Sequence, residues 1–204
     1  MNDVDHSRVS LSGIPTGYES LLQKYDYKNI DEIVCNEGLS IKEILRAPVL
    51  AIITLIRRQP ADLLISGTGR ADPRAWDETK IATTCLYDLR KTNHIHCVTI
   101  GRDDGQTLRP LLTDNSSDPC VSSKHALILH DKEGNILYHD IGSEGQGSRN
   151  GAYINSDPNQ QIKNGIYRWQ EKDFLALVAH GAYLAPGIPG PKWQFILRHE
   201  RIRL

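Results

Sequence analysis

No charge of one sign predominates in this chain of 204 residues. Twenty-four Lys and Arg stand against 25 Asp and Glu, a formal net charge of −1. A global pull toward nucleic acid or an anionic membrane is thereby excluded, and any basic recognition site has to be local. Long hydrophobic runs are lacking too. The longest uncharged apolar stretch, 47–56, has ten residues, about half of the ~20 that span a bilayer. Cysteines are few. Cys35, Cys85, Cys97 and Cys120 are separated by 50, 12 and 23 positions, which matches no metal or redox spacing, so they read as reduced packing residues. The first twenty residues hold no apolar secretory core, and Asp3, Asp5 and His6 do not suit the basic stretch that precedes one. The expected location is the cytoplasm, or the nucleus in a eukaryote. With 39% hydrophobic and 24% charged residues the chain has an ordinary globular composition.

Two textures are present. Residues 1–75 read as a small helical region. Tyr18 to Tyr25 is a short amphipathic segment, and Ser40 with Glu43 forms a capping-box pattern ahead of Ile44 and Leu45. Pro48 then interrupts. Val49, Leu50, Ile52, Ile53 and Ile56 predict an apolar helix over 48–58, buried against the rest of the chain or a partner, with Pro60 at its end. Residues 59–76, rich in Gly, Pro, Asp and Arg, read as a linker. Residues 80–204 differ. Short apolar runs at 81–87, 94–100, 125–130, 136–140, 174–178 and 193–198 are separated by Gly, Pro and Asn turns. Residues 131–135, between the third and fourth of these runs, carry a hairpin signal. The pattern predicts a mainly β, antiparallel sandwich, with no αβ alternation.

Three loop motifs lie on that background: Gly101-Arg102 after a strand, Ser122-Ser123-Lys124-His125 before one, and Asn150-Gly151 followed by Asn155. In this order they resemble the forkhead-associated (FHA) domain, whose pattern is Gly-Arg, then Ser-x-x-His, then Asn-Gly-x-x-x-Asn. The resemblance covers about 80–204. It implies a sandwich of about eleven strands with a phosphothreonine-peptide site on the loops at one end. Arg102 and Ser122 are then expected to bind the phosphate, with Ser123 adding a contact. Asn150 would hold the peptide backbone, while Arg149 and Lys124 add positive potential. Gly101, His125, Gly151 and Asn155 are expected to support the site. The chemistry agrees with the resemblance. A phosphate monoester carries about −1.5 to −2 charges and three acceptor oxygens, and a guanidinium offers paired donors in a fixed plane.

Three positions depart from the family pattern. Ala152 stands where Thr is common, Ser156 rather than Gly follows Asn155, and Ser122 lies 20 positions after Arg102, a longer separation than usual. Arg149 itself occupies a position where a small hydroxyl residue is frequent. Elsewhere His94 and His96 share strand parity but lack a third ligand, and Asp103-Asp104-Gly105 is a turn rather than a calcium loop. Trp169 and Trp193 read as core or rim aromatics. No cofactor loop, metal set or nucleophile–base pair is visible, so a non-catalytic module is expected. Its expected partner is a phosphothreonine-containing protein, with no nucleic acid or membrane. The contrasting expectation is a phosphate-independent assembly subunit, using the apolar 48–58 segment as a homo-oligomer or partner interface.

Overall fold

The computed structural model describes residues 33–35, 46–60, 76–92, 95–110, 121–131, 133–143, 146–157, 159–177 and 194–202. They form two stacked β-sheets. The strands are β1 (Ile33–Cys35), β2 (Val49–Pro60), β3 (Trp76–Tyr87), β4 (Ile95–Ile100), β5 (Ala126–His130) and β6 (Ile136–Asp140). They continue with β7 (Ala152–Ile154), β8 (Gln161–Ile162), β9 (Ile166–Arg168), β10 (Leu175–Leu177) and β11 (Gln194–Arg201). One sheet has the order β1-β4-β5-β6-β9 and the other β3-β2-β11-β10-β7-β8. All pairings are antiparallel except β1 with β4.

The core lies between the sheets. Ala51, Ile53 and Leu55 of β2 meet Val98 and Ile100 of β4, Ala126 and Ile128 of β5, Tyr138 of β6, and Leu175, Leu177, Phe195 and Leu197 from β10 and β11. Alternation along each strand places these side chains on one face. Trp169 joins them, its indole N–H donating to Asp173 O at 3.1 Å. The expected hairpin joins β5 to β6, and Gly134 N–H donates to Asp131 O at 3.0 Å within its turn.

The segment 48–58 is not a helix. Val49–Pro60 is a twelve-residue strand, paired with β3 on one side and β11 on the other. Its run of Val, Ile and Thr is stiff at χ1 and suits a pleated strand better than a helix. Apolarity on both faces, which resembles a buried helix, here marks a central strand. Pro48 lies just before the strand, and its carbonyl accepts from Asp88 N–H at 2.8 Å. The odd-numbered face of β2 is used up in the core, so the apolar-helix interface has no helix to stand on. The sandwich therefore starts well ahead of residue 80, and β1 lies within the stretch read as helical. Residues 18–25 and 40–45, the linker positions 61–75, His94, Cys120 and Trp193 lie outside the described residues. Cys85 and Cys97 are free thiols.

Among the described residues five histidines are buried: His96, His125, His130, His139 and His199. Burial disfavours the imidazolium in all five, lowering His96 to about 3 and His139 to about 4. His96 belongs to no metal-ligating cluster among the described residues; its Nδ1 accepts from Tyr87 N–H at 3.0 Å. In the unfolded chain a histidine takes up its proton near pH ~6.5. Above that pH both states are neutral and the fold has its full stability. Below it only the unfolded chain gains protons, so stability drains away as pH falls toward 4. The melting temperature is expected to drop clearly between pH 7.5 and 5.0. An unchanged value would show that these imidazoles are not held neutral by the fold.

Candidate functional site

The loops leaving β4, entering β5 and entering β7 meet at one end of the sandwich, and their backbones are bonded to one another. Arg102 N–H donates to Ser122 O at 3.1 Å and Asp103 N–H to Ser123 O at 3.3 Å. Gly101 permits this approach. A Cβ there would stand 2.1 Å from Ser123 O, a distance no side chain tolerates. Immediately beyond it the Arg102 side chain is exposed, its Nε donating to Ser123 Oγ at 3.4 Å. Arg109, which the sequence did not single out, flanks this loop. It is paired with Asp104 at 2.8 Å, and its guanidinium also reaches Arg102 O at 3.4 Å.

His125 is 1% exposed and ties two of the loops together. Its Nδ1 accepts from Ser122 N–H at 3.4 Å, which assigns the proton to Nε2, facing Ser148 Oγ at 3.3 Å. Ser148 Oγ also accepts from Gly151 N–H at 2.9 Å. The next residue closes the circuit, because Arg149 N–H donates to Ser122 Oγ at 3.0 Å. Ser122, His125, Ser148 and Arg149 thus form a ring of three hydrogen bonds and one peptide link. Burial holds the His125 imidazole below its ordinary pKa, against the opposing charge of Asp140. The neutral form is the one the ring requires, since a proton on Nδ1 would confront the Ser122 N–H.

Asp140 anchors the ring from below. Its fully buried carboxylate accepts from Ser148 N–H at 3.1 and 3.0 Å and from Asn164 N–H at 2.7 Å. Serine, histidine and aspartate therefore sit together, but not as a hydrolytic triad. Ser148 is 1% exposed, and the aspartate bonds the serine's backbone amide rather than orienting the imidazole.

Asn150 follows on the same loop, half-buried, and its carbonyl accepts from Gln161 Nε2 at 3.0 Å. Gly151 turns the chain with φ +67, a left-handed conformation that glycine adopts without strain, and a Cβ would meet Ile162 O at 2.5 Å. Asn155 lies at the far end of β7. It ties a turn, with Nδ2 donating to Asp173 at 2.8 Å and Oδ1 accepting from Phe174 N–H at 3.0 Å. That is a structural part, away from the three loops. Lys124 N–H donates to Ser143 Oγ at 3.3 Å, which keeps this residue on the same rim.

The structure thus brings together Arg102, Ser122, Ser123, Lys124, Arg149 and Asn150, with Gly101, His125 and Gly151 as supports. Sequence reading missed Ser148, Asp140 and Gln161. Their contributions depend on loop closure, and no local spacing announces them. Chemically, each hydroxyl on the rim has a lone pair occupied by a nitrogen donor. Ser122 accepts from Arg149 N–H and Ser123 from Arg102 Nε. The hydroxyl protons are left to donate elsewhere, next to an exposed guanidinium.

The FHA-domain family model matches residues 98–177, from β4 through β10. The chain carries an FHA domain. That family is one of protein-interaction modules. The matched stretch holds the three motif loops but omits β2, β3 and β11, which complete the second sheet around it. No curated protein matches the chain. Among solved structures, an engineered FHA with a Myc-pTBD peptide is 18% identical, covering 74% of this chain and 92% of its own, at a TM-score of 0.41. The N-terminal FHA domain of S. cerevisiae Rad53p, in complex with a phosphothreonine peptide, is 16% identical, covering 72% and 94%, at 0.37. The FHA1 domain of yeast Rad53 is 17% identical, covering 92% and 89%, at 0.43.

The close approach at Gly101 yields a paired test. Gly101→Ala forces its Cβ against a backbone carbonyl and is expected to cost about 1–3 kcal/mol in urea unfolding, as overpacking does. Gly105→Ala in the same loop meets nothing within 4 Å and is expected to leave stability nearly unchanged. Equal effects at both positions would contradict the described contact between the loops.

Proposed function

We propose that this FHA domain reads phosphothreonine in a partner protein, without catalysis. The observation that carries the reading is the rim of the ring: the Ser122 hydroxyl, already accepting from Arg149 N–H, beside the exposed Arg102. In this reading the Arg102 guanidinium supplies charge and paired donors to the phosphate. Ser122 donates its hydroxyl proton to a second oxygen, and Ser123 serves a third. Asn150, turned by Gly151, holds the peptide backbone beside the phosphothreonine. Each charge-assisted bond is worth ~1.5–3 kcal/mol net. Three or four of them, less the cost of ordering a flexible peptide, give micromolar affinity, about −8 kcal/mol. Any docking or second-partner role for the N-terminal region falls to residues ahead of β2, since 49–60 is spent in the sandwich.

Fluorescence polarisation with a phosphothreonine peptide library tests the reading. Arg102→Ala is expected to lose ~1.5–3 kcal/mol, on the order of ten- to a hundredfold in affinity. Equal, weak binding by both proteins would overturn the phosphate-reading role. Affinity is also expected to fall as pH drops through about 6, where the ester takes up its second proton and loses charge. Because the buried histidines weaken the fold over the same range, circular dichroism at each pH must show the protein still folded. A flat affinity from pH 7.5 to 5 would mean that phosphate charge is not what is recognised.

A further inference from the structure

We propose that Arg149 reads a second negative charge on the peptide, on a residue immediately flanking the phosphothreonine, so that the ligand is a multiply charged segment. This rests on the phosphopeptide reading above. The phosphate's three oxygens already have candidate donors in the Arg102 guanidinium and the two serine hydroxyls. The contribution of Arg149 to the ring is made by its backbone N–H alone. Its side chain is exposed and makes no hydrogen bond or ion pair among the described residues. Arg109, by contrast, is paired with Asp104 at 2.8 Å.

Position completes the argument. Arg149 stands between Ser122, to which it is bonded, and Asn150, whose side chain is assigned to the peptide backbone. A guanidinium projecting from that point reaches the residue next to the phosphothreonine rather than a distant one. A small hydroxyl residue at this position could add a contact to the phosphate, but it could not compensate a further charge. A planar guanidinium suits either a carboxylate or a second phosphate, both bound through paired N–H donors.

The test compares affinity ratios, so a general loss of binding does not confuse it. Three peptides share one sequence: phosphothreonine with glutamine on each side, with glutamate on each side, and with a second phosphorylated residue next to it. The wild-type protein is expected to prefer the charged peptides over the neutral one by roughly three- to tenfold. In Arg149→Ser that ratio is expected to collapse toward one, and Arg149→Lys to restore part of it. Both variants keep the backbone N–H that bonds Ser122. A larger gain for the doubly phosphorylated peptide than for the glutamate peptide would assign the second charge to phosphate; equal gains would assign it to any acidic neighbour. A ratio that survives in Arg149→Ser, or no wild-type preference at all, overturns the proposal while leaving phosphothreonine binding standing. Failure of the wild type to bind any of the three sinks the underlying reading instead.

Discussion

The binding end depends on one neutral imidazole. His125 receives the Ser122 N–H on one nitrogen and gives the proton of the other to Ser148, while Arg149 N–H returns to Ser122 Oγ. The two loops entering β5 and β7 lie apart in sequence, and the ring adds to the bonds that Lys124, Ile141 and Gly142 already make between them. Bonded in this ring, they hold fixed positions before any ligand arrives. In the proposed reading a peptide meets donors already aimed, and the entropy of ordering the loops is not charged to binding.

The sandwich supplies what the ring needs. Buried polar groups are costly unless satisfied, and Asp140 satisfies its share through the amides of Ser148 and Asn164. The same strands that carry the loops, β4, β5, β6 and β7, send their apolar faces into the core. The site is therefore rigid for the same reason that the fold is stable. Acid acts on both together, because protonating His125 would break a ring bond and put a charge into the interior.

Much of this was legible in the sequence, and the exceptions have physical causes. β3, β4, β5, β6, β10 and β11 announced themselves by short apolar runs with turn residues between them, whereas β7, β8 and β9, at two or three residues each, are too short to show a pattern. Gly101, His125 and Gly151 could be placed because the family pattern names them, and the structure supplies the reason for each: a close approach, a two-sided imidazole, a left-handed turn. β2 was misread because a strand buried on one face and half-covered on the other has no period of two to betray it, and an uncharged run of that length also has the look of a buried helix. Ser148 and Asp140 stayed hidden for a different reason. A buried serine bonded to a histidine 23 residues away has no local signature.

The central claim is that a guanidinium and hydroxyl protons, preset by the ring, grip a doubly charged ester. Phosphorus-31 NMR of a bound phosphothreonine peptide tests this at the ligand itself. An adjacent guanidinium favours the dianion, so the bound phosphate is expected to take up its second proton well below the ~6 of the free peptide. A bound phosphate that titrates at the free-peptide value would contradict the account.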